Sequence, residues 1–210
     1  GGIRPVDADY LKELRAVADE FGILLMYDEV QCGIGRTGKL YAHEWSGAAP
    51  DILASAKGLG GGFPIGATLA TEAVADAMKA GSHGSTFGGN PLAMAVGNAV
   101  VDVVLADGFM DNVTARAEQL ANGLDALVKK HPDILAGHRG MGLMQGLQCQ
   151  GENGENGTLV GKLMAGGLLT VPAGDNIVRM VPPLTIEATH VEEALSILDA
   201  AVGEMTTKAA

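Results

Sequence analysis

Aromatic side chains are scarce in this sequence, with one Trp, three Tyr and four Phe among 210 residues. Positive charge is also in short supply, since 14 Lys and Arg face 25 Asp and Glu for a formal net charge of −11. A surface of that sign repels phosphate backbones, and no run of Lys or Arg reverses it locally, which argues against a nucleic-acid partner. Apolar runs fall well short of a membrane span. Cysteine is limited to Cys32 and Cys149, outside any C-x-x-C or metal-ligand spacing. Free thiols in a reducing compartment are therefore expected, with neither a disulfide nor a metal site. No charged n-region with an apolar h-region opens the chain, which points to the cytoplasm. Without such a signal the triplets Asn112-Val113-Thr114 and Asn156-Gly157-Thr158 read as chance matches to a glycosylation acceptor. The opening Gly1-Gly2-Ile3-Arg4-Pro5, with no initiator Met, reads as the middle of a loop in a longer protein.

Glycine, by contrast, is abundant: the 31 residues are about twice the usual share of ~7%, and they cluster. An apolar share of 47% is ordinary for a globular chain, and the length suits one large or two small domains. Residues 7–21 place Tyr10, Leu11, Leu14, Val17, Ala18 and Phe21 at three- and four-residue intervals, with Asp7 as N-cap and Gly22 as stop. That pattern predicts an amphipathic helix. It runs directly into the apolar stretch 22–27, too short for a helix and typical of a strand buried on both faces. Helix followed by buried strand predicts a parallel α/β sheet, whose ligands bind at the carboxyl ends of its strands. Asp28, Glu29, Val30 and Gln31 stand at such an end. The pattern recurs at residues 51–56, which end abruptly in Lys57 and a glycine-rich turn. A strand over 65–71, a helix over 72–80, a glycine-rich loop over 83–91 and a helix from Pro91 to Leu105 come next, Pro suiting the first helical turn.

After Asp107-Gly108 the texture changes. A long helix is expected over 109–130, then a strand over 141–149, a helix over 158–166, strands over 168–172 and 176–181, and a helix over 189–205. The polar stretch 151–157 is a turn with no capacity to pack. A second, smaller α/β domain is thus expected in the C-terminal part.

Three features could carry chemistry. Gly33-Ile34-Gly35-Arg36-Thr37-Gly38 matches the G-x-G-x-x-G dinucleotide fingerprint, which should open a helix. Residues 39–46 run into Gly47-Ala48-Ala49-Pro50, which leaves little room for one, so a dinucleotide site is disfavoured. Lys57 ends an apolar strand and precedes four glycines in five residues. It is either a lysine snorkelling to water or an amine in a partly desolvated cleft, able to attack a carbonyl and hold a Schiff base. In the second case the glycines would let a bulky planar ligand approach the backbone. Asp28 is either an ordinary loop carboxylate or the charge partner of a cationic ring nitrogen. Taken together, the second readings suggest pyridoxal 5'-phosphate (PLP).

The segments LLMYDEVQCGIGRTGKLYAHE, PDILASAKGLGGGFPIGA, HGSTFGGNPLA and NIVRMVPPLTI resemble the class III, fold type I PLP-dependent aminotransferases over almost the whole chain. The resemblance implies an α/β fold in three parts. Residues 1–107 would be part of the PLP-binding large domain, mainly a parallel sheet with helices. Residues 108–131 would be a connecting helix, and residues 132–210 a small C-terminal α/β domain. It also implies that Lys57 binds the cofactor covalently and then shuttles a proton, and that Asp28 keeps the pyridine nitrogen protonated. Val30 would pack on one ring face, and Gln31 would hydrogen-bond near the phenolic oxygen. Thr86 would reach the cofactor phosphate of a neighbouring subunit in a homodimer. Arg179, lone on an apolar strand and suited to a buried carboxylate, would bind a substrate carboxylate. Glu29, His83 and Ser85 are left as scaffold. The implied donor is N-acetylornithine or a related ω-amino acid (ornithine, succinylornithine or 4-aminobutyrate), with 2-oxoglutarate as acceptor, in arginine biosynthesis. Family members are about twice as long. Their other half carries the phosphate loop, the aromatic on the second ring face, an arginine for the α-carboxylate and, just upstream of Gly1, a glutamate that pairs with the Arg179 position. The 210 residues alone are therefore expected to be inactive, or to act only as a binding module.

Overall fold

The computed structural model describes residues 1–152 and 154–207, with side chains described through Met205. It contains helices, one mixed sheet and one antiparallel sheet in two compact units, Val6–Met110 and Gly1–Pro5 with Asp111–Ala210.

In the first unit, helix α1 (Ala8–Phe21) starts where the sequence placed it. The Asp7 carboxylate accepts from Asp9 N, and Gly22 closes the helix at φ 62°, its N–H reaching the carbonyls of Ala18 and Asp19. The left-handed cap needs glycine, which has no Cβ to clash. Strands β1 (Met26–Asp28), β2 (Ile52–Ser55) and β3 (Ala67–Ala70) form one sheet in that order, β1 parallel to β2 and β3 antiparallel. Arg15 on α1 meets Asp51 at 2.7 Å, and Asp51 also accepts from Leu25 N at 2.7 Å. That pair ties the helix to the entrances of both parallel strands. Helix α2 (Glu72–Ala75) is a single turn rather than the expected 72–80, and α3 (Pro91–Val104) begins on an Asn90 cap that accepts from Ala93 N.

The expected burial of the first strand on both faces is not found. Ile23, Leu24 and Met26 are 57%, 60% and 62% exposed. A parallel strand reads as a continuous apolar run because helices normally cover both faces. Here β1 pairs with β2 alone, and only Leu25 and Tyr27 of the run are half-buried, Tyr27 beside the His43 ring.

The second unit is built on α4 (Phe109–Lys130), β4 (Leu135–Met141), β5 (Met144–Cys149), α5 (Asn156–Ala165), β6 (Val171–Ala173), β7 (Ile177–Met180) and α6 (Ala188–Thr207). Its sheet has the order β4-β5-β7-β6 and is antiparallel throughout. The single strand expected over 141–149 is instead the second arm of a hairpin that turns at Gly142, φ 57°. Its first arm, LAGHRGM, escaped notice because two glycines and an alanine carry little strand propensity.

One face of this sheet meets the helices. Leu147, Cys149, Val178 and Met180 join Leu124 and Leu127 of α4, Leu159 and Leu163 of α5, and Val191, Leu198 and Val202 of α6 in a continuous core. Gly123 of α4 leaves room for Leu195 of α6, whose Cδ1 would lie 2.2 Å from an added Cβ. Across the other face runs the opening segment. Ile3, only 6% exposed, lies over Gly146, and the Gly2 carbonyl accepts from Arg139 Nε at 2.8 Å. Arg139 and Arg4 both pair with Asp175 in the β6–β7 turn. Leu147 is fully buried at the centre of the core. Leu147→Ala is expected to lower stability by about 2–5 kcal/mol, measured by urea denaturation followed by far-UV circular dichroism.

Candidate functional site

Four of the expected site residues stand around the carboxyl ends of β1 and β2. The parallel register sets Asp28 beside Ala54, and Glu29 N donates to Ala54 O at 2.9 Å. From there the chain alternates: Asp28 is exposed, Glu29 is 3% exposed, and Val30 and Gln31 are half-buried. Asp28 Oδ1 accepts from Val30 N at 3.0 Å, which leaves Oδ2 without a described partner. The Gln31 amide and the Lys57 amine also have no described hydrogen-bond partner.

Lys57 lies just past β2 and opens a 3₁₀ turn, Lys57–Gly60. Its φ of 45° is left-handed, a conformation that costs a non-glycine residue about 1–2 kcal/mol. Such backbone persists only where the surroundings fix it, and three packed contacts do so. An added Cβ on Gly58 would lie 3.2 Å from Ile34, one on Gly60 2.7 Å from Ile65, and one on Gly61 2.9 Å from Val100. Three of the four glycines thus let the chain pack on itself, while Gly62 meets nothing within 4 Å. Lys57 itself is exposed, so the desolvated cleft expected around it is not formed by the described residues.

Residues 33–40 fold into a compact lobe. Gly33 N donates to Glu29 O, Gly35 N to Leu40 O and Gly38 N to Gly35 O, while Ile34 is buried at φ 53°. The lobe leads into one 3₁₀ turn, Ala42–Trp45, and not into the helix a dinucleotide fingerprint must open. Glu29 holds this lobe in place. Its buried carboxylate accepts from Ala42 N at 2.5 Å, His43 N at 2.9 Å and His43 Nδ1 at 2.8 Å. The sequence signal for that role was the Asp-Glu pair at a strand end, where a period of two sends one acid outward and the other inward.

Thr86 lies in the exposed segment 81–89, and neighbouring Ser85 Oγ accepts from Gly88 N. Arg179 stands in the other unit, on β7 opposite Gly146. It shares the sheet face of Ile177 and Ile3, away from the helical core. It is half-buried, and its Nε is buried with no hydrogen-bond partner. Arg179 also lines a groove of about 490 Å³ with Leu168, Val171, Met180, Ile186 and Glu193, together with Thr170, whose Oγ1 is likewise buried and unpartnered. Two unpartnered polar atoms on one groove suit a ligand that brings hydrogen-bonding oxygens.

Residues 1–202 match the family described as aminotransferase class-III. The chain belongs to the class-III aminotransferases. An acetylornithine aminotransferase of Mesorhizobium japonicum is 58% identical over 197 residues, covering 93% of this chain and 48% of that protein. The crystal structure of N-acetylornithine aminotransferase from Stenotrophomonas maltophilia K279a superposes with a TM-score of 0.88 at 35% identity, over 99% of this chain and 54% of that one. An amine transaminase from an uncultivated Pseudomonas species, described in its PLP-bound (internal aldimine) form, gives 0.86 at 35% identity over 94% and 48%. This class-III chain thus spans about half the length of the curated relatives it matches.

Among the described residues no group of His, Cys, Asp and Glu could hold a metal ion, and no single helix is long and apolar enough to cross a membrane. Both cysteines are free, and burial pushes each thiol up to about 11, helped at Cys32 by the Glu29 charge. At pH 8 each is then about one part in a thousand thiolate. Alkylation by iodoacetamide, followed by mass spectrometry, is expected to run at least about tenfold slower than for a free cysteine peptide.

Proposed function

We propose that the complete protein is a PLP-dependent aminotransferase that moves the ω-amino group of N-acetylornithine to 2-oxoglutarate. The observation that carries this reading is the placement of Asp28 and Lys57 at adjacent carboxyl ends of a parallel strand pair, in a class-III chain 58% identical to an acetylornithine aminotransferase. The donor set fits the cofactor. An exposed amine without a described partner suits an aldehyde, and a carboxylate with one open oxygen suits a protonated ring nitrogen.

PLP, when bound, supplies an aldehyde that condenses with amines and a ring that accepts electrons from the carbon next to nitrogen. Lys57 would hold the cofactor covalently until substrate displaces it. The freed Nζ would then carry a proton between the amine-bearing carbon of the substrate and the cofactor. Asp28 would hold the proton on the ring nitrogen through a charge-assisted hydrogen bond. Val30 would press on one ring face, Gln31 would donate toward the phenolic oxygen, and Thr86 would bind the phosphate of a partner subunit in a homodimer. Arg179 would take a substrate carboxylate, which a buried guanidinium nitrogen without a partner supports.

In this reading residues 1–107 belong to the large cofactor domain, 108–131 to a connecting helix and 132–210 to a small C-terminal domain. The protein acts in the cytoplasm, in arginine biosynthesis. The 210 residues by themselves are inactive, because the remaining contacts to phosphate, ring and α-carboxylate lie in the other half of the length.

In the full-length protein Lys57→Ala is expected to abolish the visible absorption band of the lysine-bound cofactor and to reduce turnover to background. A borohydride-stable cofactor adduct in that variant, with normal turnover, would overturn the lysine's role. Arg179→Ala is expected to raise KM for 2-oxoglutarate by about tenfold to a hundredfold, the scale of a lost charge-assisted contact. Steady-state kinetics with an unchanged KM would remove Arg179 from the site.

A further inference from the structure

We infer that Glu29 is a positioning residue, the anchor that sets the backbone turn of Lys57 and the neighbouring Asp28. The inference rests on the reading of Lys57 as the cofactor lysine. Glu29 is 3% exposed and fully engaged, with Ala42 N, His43 N and His43 Nδ1 on its carboxylate and the Cys32 thiol 3.8 Å from Oε2. Its backbone is engaged as well, N–H to Ala54 of β2 and carbonyl from Gly33. The His43 ring is stacked on Tyr41 at 6.0 Å and faces Tyr27 of β1 at 6.0 Å.

The segment between these anchors is a closed lobe, fixed at Gly33 by the Glu29 carbonyl and at Ala42 and His43 by the Glu29 carboxylate. Gly33 has no room for a side chain, since a Cβ would lie 2.7 Å from Glu29 O and 3.0 Å from the Tyr41 ring. The lobe delivers Ile34, 2% exposed, against Gly58, the residue after Lys57. Ile34 at φ 53° and Lys57 at φ 45° are both left-handed, and each adjoins the Ile34–Gly58 contact. A buried carboxylate that satisfies three N–H donors resists displacement, because moving it strands every one of them. Glu29 is thus rigidly held beside the exposed Asp28 and acts on Lys57 through the lobe, without touching the cofactor.

The test uses the full-length holoenzyme, assembled if necessary by joining this chain to the upstream half of the Mesorhizobium japonicum relative. Its readouts are the PLP dissociation constant of the apoprotein and the pH midpoint of the visible band of the lysine-bound cofactor. Circular dichroism reports folding. Glu29→Ala is expected to weaken PLP binding about tenfold or more and to shift the midpoint, while Glu29→Gln, which keeps one acceptor oxygen for the His43 donors but turns an NH2 group onto Ala42 N, is expected to fall between Glu29→Ala and the parent. Where Glu29→Ala does not fold, Ile34→Ala decides, since it trims the seat on Gly58 back to Cβ and leaves the carboxylate network intact; the same two readouts are expected to move. A folded Glu29→Ala or Ile34→Ala protein with a lower melting temperature but unchanged affinity and midpoint would make Glu29 mere scaffold and overturn the inference. Lys57→Ala separates the two levels: a lysine-type band that survives in it defeats the Lys57 reading itself.

Discussion

The parallel register of β1 on β2 determines where the candidate groups of Val6–Met110 stand. Met26, Tyr27 and Asp28 lie beside Ile52, Leu53 and Ala54, so both strands end at the same level and pass from apolar to polar there. Parallel pairing cannot come from a tight hairpin; it needs a long crossover. That crossover contains the Gly33–Leu40 lobe and the Glu29 clasp. The ion pair of Arg15 with Asp51 fixes the opposite end of the strands against α1. A slip of one residue would turn Asp28 inward and Glu29 outward, burying an unpartnered carboxylate and stranding the donors at Ala42 and His43. The register is thus protected by polar satisfaction as well as by packing.

Local chemistry was legible wherever a single residue decides a conformation. Asp7 and Gly22 bracket α1, Pro91 opens α3, and the abrupt ends at Asp28 and Lys57 marked the carboxyl edge of the parallel strand pair. Long-range facts were not legible. The apolar run before Asp28 looked buried because periodicity reports what a strand is suited to and says nothing of what covers it. The hairpin arm Leu135–Met141 was invisible because its two glycines weaken the strand signal, although Gly140 is there for a close neighbour: an added Cβ on it would lie 2.4 Å from the Met144 carbonyl. The glycines after Lys57 stand out in the sequence, but a sequence shows that bulk is excluded and not by what. The network on Glu29 joins residues 13 and 14 positions apart, a separation at which no local pattern operates.

In the second unit the same economy separates packing from chemistry. One sheet face carries Leu147, Val178 and Met180 into the helical core. The other carries Gly146, Ile177 and Arg179 under the opening strap. Strand alternation puts Arg179 away from the core while its neighbours remain fully apolar, so a single guanidinium is held on a rigid element without a charge in the hydrophobic interior. The strap is fastened by Arg139 and Asp175, whose carboxyl is held below its usual range by the Arg139 guanidinium first and Arg4 second.

The uncovered flank of β1 bears on how the chain behaves as a material. Among the described residues β1 pairs on one side only, and such a strand edge, beside Ile23, Leu24 and Met26 more than half exposed, is a template for adding another strand. Between two copies of this chain that edge invites sheet extension, and the net charge of −11 is the principal opposing force. Salt screens that repulsion and leaves the apolar attraction in place. Self-association of these 210 residues should therefore grow with ionic strength, which makes colloidal stability an electrostatic property of the whole surface set against unshielded apolar edges such as this one.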